Sequence, residues 1–83
     1  MAQFHATVVV TLKPDILDPA GDATAQVLRQ MGYLVDDVRM GKHIQLTLEA
    51  ESVSEAEAAV RQMTESLLAN PVMETYTVRV DAS

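Results

Sequence analysis

The stretch Leu12-Lys-Pro-Asp-Ile-Leu-Asp-Pro-Ala-Gly21 decides how the chain folds, because it converts a strand into a helix. Pro14 has a fixed backbone angle and no amide donor, so it ends the preceding strand. Pro19 suits the first turn of a helix, where its missing N–H is not needed, and Asp18 then occupies the N-cap position. The stretch therefore predicts a strand-to-helix corner. Taken alone, it is explained as well by local structure as by binding.

The residues on either side of the corner show two different periodicities. Residues 3–12 alternate between apolar and polar, as in a strand with one buried face. Residues 19–31 place apolar side chains at helical spacing, and Gly32 follows where helices commonly end in a left-handed conformation. The apolar face of this predicted helix consists of Ala20, Thr24, Val27, Leu28 and Met31.

Two further strands are predicted directly after this helix. They cover residues 34–40 and 43–49, and we expect a tight turn near Gly41-Lys42 to join them as a hairpin. The two strands therefore form a local antiparallel pair.

A second helix and a last strand complete the chain. Ser52 and Ser54 are each followed three residues later by a glutamate, which predicts a capping box at the start of the helix. Asn70-Pro71 ends this helix, because a proline disfavours helical angles in the residue before it. The predicted inner stripe of the helix is Ala56, Val60, Met63 and Leu67, and the last strand covers residues 72–80.

The order strand, helix, strand, strand, helix, strand predicts the fold class. Right-handed crossovers place both helices on one face of a four-stranded antiparallel sheet, which is the ferredoxin-like, α+β two-layer sandwich βαββαβ. We expect a single domain over residues 1–83. A chain of 83 residues buries only about 60% of its unfolded surface, so an isolated monomer is marginal and self-association is expected.

The second face of the predicted sheet is left bare. Its residues are mostly short and β-favouring, with few of the charges that keep an open sheet soluble. We predict that this face packs against another copy of the chain, whereas the simpler alternative is a solvated face. The face contains Arg39, Gln45 and Arg79, and the candidate self-association residues are His5, Thr7, Val9, Thr47, Thr75 and Thr77.

Composition excludes several functional classes. Twelve acidic residues against six basic ones give a formal charge of −6, which argues against nucleic acid as a partner. Cysteine is absent, which removes disulfides, thiolate metal sites and cysteine nucleophiles. No apolar stretch approaches the ~20 residues of a membrane span, and no signal peptide is recognisable, so we expect a cytoplasmic protein without membrane contact.

The chain contains no recognisable catalytic group. His5 and His43 lie on predicted strands, and neither has a carboxylate or a second histidine at metal-ligand spacing. Asp36 and Asp37 are adjacent on a predicted strand, so their side chains point to opposite faces and do not share a proton. We therefore expect no catalytic, cofactor-binding or metal-binding residues.

Three segments combine charged residues with glycine or proline at fixed spacing. They are Leu12 to Gly21, Asp37 to Leu46 and Leu67 to Tyr76. Together they strongly resemble the PurS family, the small subunit of bacterial and archaeal phosphoribosylformylglycinamidine (FGAM) synthase. The match spans nearly the whole chain and keeps the family spacing. The matching residues are Leu12, Lys13, Leu17, Asp18, Pro19, Gly21, Val38, Arg39, Gly41, Lys42, Leu67, Asn70, Pro71, Glu74 and Tyr76.

The resemblance implies a non-catalytic subunit of a glutamine-dependent ligase in de novo purine biosynthesis. In this family the synthetase PurL uses ATP and Mg²⁺ to activate formylglycinamide ribonucleotide, and the glutaminase PurQ releases ammonia from glutamine. The small subunit bridges them and supports ammonia transfer, and it forms a homodimer or a homotetramer. The implied partners are therefore PurL, PurQ and other copies of the chain, and no cofactor is expected on the chain itself.

The family pattern also implies candidate site residues. Lys13, Asp18, Arg39 and Lys42 are candidates for polar contacts with the large subunits, because charges beside rigid turns fix orientation. The local alternative is that Asp18 only caps its helix, at about 1 kcal/mol, and that Arg39 and Lys42 only decorate a turn. The residues expected to determine shape are Leu17, Pro19, Gly21, Gly41, Asn70 and Pro71.

A regulatory ligand-binding domain of the ACT type is the alternative function, because it has the same order of strands and helices. Such domains tend to carry glycine at the first strand-to-helix corner. Here two prolines flank that corner, and Gly21 lies inside the predicted helix. The corner therefore fits an ACT-like domain poorly.

Overall fold

A computed structural model of the protein describes residues 1–82. The strands are β1 (Ala2–Leu12), β2 (Gly41–Ala50) and β3 (Glu74–Ala82), and the helices are α1 (Pro19–Gln30) and α2 (Val53–Met63). A π-helical turn over Thr64–Leu68 continues α2.

The three strands form one antiparallel sheet in the order β2-β1-β3. The apolar row of β1 faces α2, and Val8 and Val10 are completely buried. The α+β class, the antiparallel sheet and the buried face of β1 are therefore confirmed. The core is built from one phenylalanine and otherwise small side chains, and its residues are Phe4, Ala6, Val8, Val10, Ala25, Ala50, Ala56, Val60 and Ala69.

The prediction of a fourth strand is wrong for the described part of the chain, and with it the four-stranded ferredoxin-like sheet. Residues 34–40 pair with no strand, and the tight turn near Gly41-Lys42 does not form. Instead, Gly41 and Lys42 are the first residues of β2, opposite Thr11 and Val10 of β1. Gly41 lies so close to β1 that an added Cβ would be 2.6 Å from the carbonyl oxygen of Val10. The backbone therefore continues through this point as a strand.

Residues 34–40 pack along α1 instead of joining the sheet. Arg29, in the last turn of α1, donates from Nε to the carbonyl of Val35 and from Nη2 to the carbonyl of Asp36, both at 2.9 Å. At the other end, the carbonyl of Val38 lies directly against Gly21. We call residues 19–40, which comprise α1 and this returning segment, the arm.

Helix α1 ends just before Gly32, the glycine that the sequence predicts at this point. Gly32 has φ +100°. Its N–H donates to the carbonyl of Arg29 at 3.0 Å, and the N–H of Tyr33 donates to that of Leu28 at 3.1 Å. This pair of bonds is a Schellman motif, which satisfies carbonyls that the helix end would leave free. The predicted left-handed termination at Gly32 is confirmed.

The second helix begins as predicted and then changes its register. Ser52 caps it by accepting from the N–H of Glu55 at 3.2 Å. The buried row is Ala56, Val60, Thr64 and Ala69, so its spacing lengthens from four residues to five at the π-helical turn. The predicted inner positions Met63 and Leu67 are wrong, since their side chains are 39% and 83% exposed.

Candidate functional site

Asp18 joins two segments that are distant in sequence. As the N-cap of α1 it accepts from the N–H of Gly21 at 2.9 Å, and its second carboxylate oxygen accepts from the N–H of Met40 at 2.7 Å. The side chain is buried. These two N–H groups, Gly21 first, hold the pKa of Asp18 below its ordinary value, and the positive charge of Arg39 adds to them while burial opposes them. Asp18 is therefore an ionised structural acceptor.

Arg39 closes the turn that precedes Asp18. Its Nη2 donates to the carbonyls of Lys13 and Ile16, both at 2.9 Å. The same turn contains a backbone bond of 2.9 Å from the N–H of Ile16 to the carbonyl of Lys13. A single guanidinium therefore bonds two carbonyls of the turn at residues 13–16.

Gly21 allows the two segments to approach. An added Cβ would collide with the carbonyl oxygen of Val38 and would lie 3.0 Å from the carboxylate of Asp18. Residue 21 therefore has to lack a side chain for this packing. We call residues 13–21 together with residues 38–40 the Asp18 corner.

The turn after α2 forms a second polar cluster. Asn70 donates from its N–H to Oε1 of Glu74 at 2.7 Å and accepts from the N–H of Val72 at 3.0 Å on its side-chain oxygen. Lys42 lies 3.7 Å from the other carboxylate oxygen of Glu74 and donates to the carbonyl of Leu68 at 3.2 Å. We call residues 68–76 the Glu74 bend.

The corner and the bend meet at one end of the sheet. The N–H of Lys13 donates to the carbonyl of Met73 at 2.9 Å, and Lys42 continues directly from the corner to reach Glu74. The three motif segments of the sequence therefore converge on one surface, which we call the motif end. It also exposes apolar side chains, since Leu17 is 82% and Val72 76% exposed.

The predicted contact residues occupy different positions at the motif end. Asp18 and Arg39 bond within the chain, which supports their local role, and Lys42 is held by Glu74. Lys13 bonds through its backbone only, and among residues 1–82 no hydrogen bond or ion pair of its side chain is found. Contact with a partner stays a prediction for all of them, and Lys13 is the best placed to make one.

The residues predicted to determine shape lie at the bends of the same end. Pro19 occupies the first turn of α1, and Gly21 and Gly41 both lie where the backbone of another segment is too close for a side chain. Asn70 organises the Glu74 bend, next to the exposed Pro71. Leu17 is an exposed apolar side chain, so the structure assigns it no packing role.

One face of the sheet is left uncovered, and all of the predicted residues except Arg39 lie on it. His5 and Thr47 are opposite each other on β1 and β2, and their side chains lie 3.2 Å apart. Thr7, Val9, Thr75 and Thr77 share this face by strand alternation. Arg39 does not belong to it, because the segment that carries Arg39 is not a strand. Self-association through this face stays a prediction.

Sequence reasoning missed two polar interactions. The hydroxyl of Tyr76 donates to Glu65 at 3.0 Å, which connects β3 to the π-helical turn. Thr64 is completely buried and donates to the carbonyl of Val60 at 2.8 Å. Neither has a signal in the sequence, because both depend on the change of register at the end of α2.

Metal-binding clusters and membrane-spanning helices are both absent from the described residues. No cluster of three metal-binding side chains occurs among residues 1–82. Both oxygens of Asp18 are engaged by backbone N–H groups, so it is unsuited to proton transfer. In the same part of the chain, no helix is long and apolar enough to cross a membrane.

Comparisons with known proteins agree with this geometry. The family model described as "PurS: Phosphoribosylformylglycinamidine (FGAM) synthase" matches residues 5–82. A "Phosphoribosylformylglycinamidine synthase subunit PurS" of Synechocystis is 45% identical over 80 residues, which cover 95% of this chain and 80% of that protein. The Bacillus subtilis PurS is 42% identical over 79 residues, with 94% and 93% covered.

Solved structures show the same backbone. A chain in the structure of PurLQS from Thermotoga maritima is 38% identical, with a TM-score of 0.89 and coverage of 98% of this chain and 100% of that chain. The crystal structure of PurS from Methanocaldococcus jannaschii is 31% identical, with a TM-score of 0.86 and coverage of 96% and 98%. These matches favour a PurS relationship over an ACT-like regulatory domain.

Proposed function

The chain belongs to the PurS family, and from this we infer that it is a subunit of FGAM synthase in purine biosynthesis, with PurL and PurQ as its partners. FGAM synthase forms FGAM from formylglycinamide ribonucleotide in an ATP-dependent reaction that uses ammonia from glutamine. The finer proposal is that this chain is a non-catalytic bridge between the two large subunits.

The observation that supports a bridge is the convergence of the three motif segments on the motif end. Hydrogen bonds of Asp18, Arg39 and Glu74 hold the backbone of this surface together. Exposed apolar side chains are typical of the centre of a protein interface, and charged side chains beside them are typical of its polar rim. We assign the docking of the large subunits to this end.

A bridge has a chemical purpose in an amidotransferase. Ammonia that escapes to water is diluted and protonated, so the glutaminase and the synthetase must be held together during transfer. ATP, Mg²⁺ and glutamine are used by the large subunits in this proposal. In this proposal, the chain holds the two large subunits in position and keeps water away from the ammonia that passes between them.

Reconstitution tests the bridging role. Adding this chain to PurL and PurQ is expected to raise the glutamine-dependent rate of FGAM formation by at least ~10-fold, because positioning and retention of ammonia are worth that much or more. The rate with ammonium chloride in place of glutamine is expected to stay within about twofold, since free ammonia bypasses the bridge. A large increase in the ammonia-dependent rate would instead indicate a direct catalytic contribution.

The motif end is tested by reversing the charge of Lys13. Lys13→Glu is expected to raise the concentration of this chain needed for half-maximal glutamine-dependent activity by ~10-fold, because like charges at an interface are unfavourable. Urea unfolding of the variant should match the wild type, since the Lys13 bonds are made by backbone atoms. The matched control is Arg61→Glu, on an exposed position of α2. Equal activity curves for the two variants would remove Lys13 from the interface.

We also propose that the chain self-associates as a homodimer or a homotetramer. The support is the bare sheet face and the small core, whose largest completely buried side chains are valines and a threonine. A core of this kind leaves a monomer of this size marginally stable. Association covers additional apolar surface.

A further inference from the structure

The methionines of this chain all lie at its surface. The exposed fraction of the residue is 78% for Met1, 64% for Met31, 47% for Met40, 39% for Met63 and 42% for Met73. Methionine is more often a core residue, because its side chain is apolar and adapts to irregular gaps. Here the core uses phenylalanine, valine and alanine instead. The methionine side chains are therefore accessible to small solutes.

Methionine is also the most readily oxidised side chain in this sequence, since the chain contains no cysteine and no tryptophan. A hydroperoxide transfers one oxygen atom to the thioether sulfur. The O–O bond breaks, and the other oxygen leaves with a proton as water or an alcohol. The sulfur is oxidised by two electrons to a sulfoxide, and the peroxide is reduced by the same two electrons.

Two of the methionines belong to the motif end. The N–H of Met40 donates to the carboxylate of Asp18 at 2.7 Å, and the carbonyl of Met73 accepts from the N–H of Lys13 at 2.9 Å. These bonds fix the backbone of both residues, whereas their side chains stay exposed. Both thioethers therefore lie on the surface to which we assign the docking of the large subunits.

Oxidation changes how such a side chain behaves at an interface. A thioether is apolar and adapts its shape to a partner, whereas a sulfoxide is polar. Covering a polar group without giving it a hydrogen bond is unfavourable. Sulfoxides at the motif end are thus expected to oppose docking. The fold is expected to persist, because neither Met40 nor Met73 belongs to the core.

We propose that Met40 and Met73 form an oxidation switch, in which a hydroperoxide converts their side chains to sulfoxides and thereby weakens the binding of this chain to PurL and PurQ. The proposal rests on the proposed docking at the motif end and adds a chemical regulation of that surface. Methionine sulfoxide reductases reverse the step. Two thiols are then oxidised to a disulfide, and the oxygen leaves as water.

The first experiment measures protection of the methionines in the wild-type chain. The chain is treated with hydrogen peroxide, alone and in the complex with PurL and PurQ, and peptide mapping follows the gain of one oxygen at each methionine. Oxidation of Met40 and Met73 is expected to be ~10-fold slower in the complex, because an interface excludes water and its solutes. Met31 and Met63 lie outside the motif end and are expected to react equally in both samples. Equal rates for Met40 and Met73 with and without the large subunits would overturn the switch.

The second experiment measures glutamine-dependent activity with chain that is oxidised before mixing. Oxidation is expected to raise the concentration of wild-type chain needed for half-maximal activity by ~10-fold, since the covered sulfoxides lose their hydration. Reduction by methionine sulfoxide reductases should restore the original value. The variant Met40→Leu/Met73→Leu keeps apolar side chains of similar size and should show the same value before and after peroxide. The matched control Met31→Leu/Met63→Leu should respond to peroxide as the wild type does.

The outcomes separate the switch from the proposed function. Untreated chain that fails to stimulate PurL and PurQ contradicts the proposed function itself. If untreated chain stimulates them, the switch alone is overturned by a Met40→Leu/Met73→Leu variant that is as sensitive to peroxide as the wild type. It is equally overturned if only the Met31→Leu/Met63→Leu control becomes resistant. Loss of the native circular dichroism spectrum on oxidation would also overturn it, because the chain would then unfold instead of switching.

Discussion

Gly21→Ala is expected to lower the free energy of unfolding by about 3 kcal/mol, which is near the upper end for an overpacked site. The added Cβ collides with the carbonyl oxygen of Val38, a backbone atom that cannot move aside as the end of a flexible side chain could, and it also lies 3.0 Å from the carboxylate of Asp18. Relief requires the returning segment to separate from α1, which also lengthens the bond from Asp18 to Met40. Urea unfolding followed by circular dichroism, at one fixed chain concentration, measures the effect.

Gly32→Ala is the comparison variant for this measurement. Gly32 has a positive φ of 100°, but no atom lies within 4 Å of an added Cβ. We expect this variant to lose only about 1 kcal/mol, from the left-handed backbone alone. If Gly21→Ala were no more destabilising than Gly32→Ala, the close packing of the arm at Val38 would be contradicted.

Asp18→Asn is expected to produce the second large loss of stability. The asparagine keeps the size of the side chain, but its NH₂ group replaces one of the two oxygens that accept the N–H groups of Gly21 and Met40. One buried donor then faces another donor, which costs more than a missing bond. The control is Ser52→Ala, which removes a single exposed cap bond and should cost about 1 kcal/mol. The Asp18 variant should be clearly less stable than this control in urea at neutral pH.

The same variant gives a defined pH dependence. The pKa of Asp18 in the folded protein is lowered from 3.8, chiefly by the N–H of Gly21 and then by that of Met40. The stabilisation from its charge is therefore fully present above the unfolded value of 3.8 and is lost as the pH falls through the folded value. The difference in stability between wild type and Asp18→Asn should be constant near neutral pH and shrink below pH 3.8. A difference that stayed constant into strong acid would argue against an ionised Asp18.

Local chemistry made much of this fold predictable. The alternation in β1, the cap at Asp18, the left-handed Gly32 and the cap at Ser52 each depend on residues close in sequence. Their physical causes are steric or involve hydrogen bonds within one turn. Signals of this kind need no knowledge of the rest of the chain.

The incorrect strand prediction arises because the backbone of residues 34–40 can form hydrogen bonds with more than one partner. Residues 34–40 have the alternation of a strand, but alternation does not specify which backbone groups complete their hydrogen bonds. Arg29 supplies donors for two of their carbonyls, so no sheet edge within the same chain is required. The predicted contact residues show the same limit, since Asp18 and Arg39 are polar groups whose partners lie 22 to 26 residues away along the chain. Only the assembled corner shows these interactions.

The π-helical turn at Thr64–Leu68 is equivalent to an α-helix with one residue inserted. Without that residue, Leu67 would continue the apolar stripe into the core. With it, Thr64 and Ala69 become the buried positions, and Leu67 turns outward to line an open groove near Leu46 of β2. The insertion of one codon is therefore sufficient to move an apolar side chain from the core of the protein to its surface.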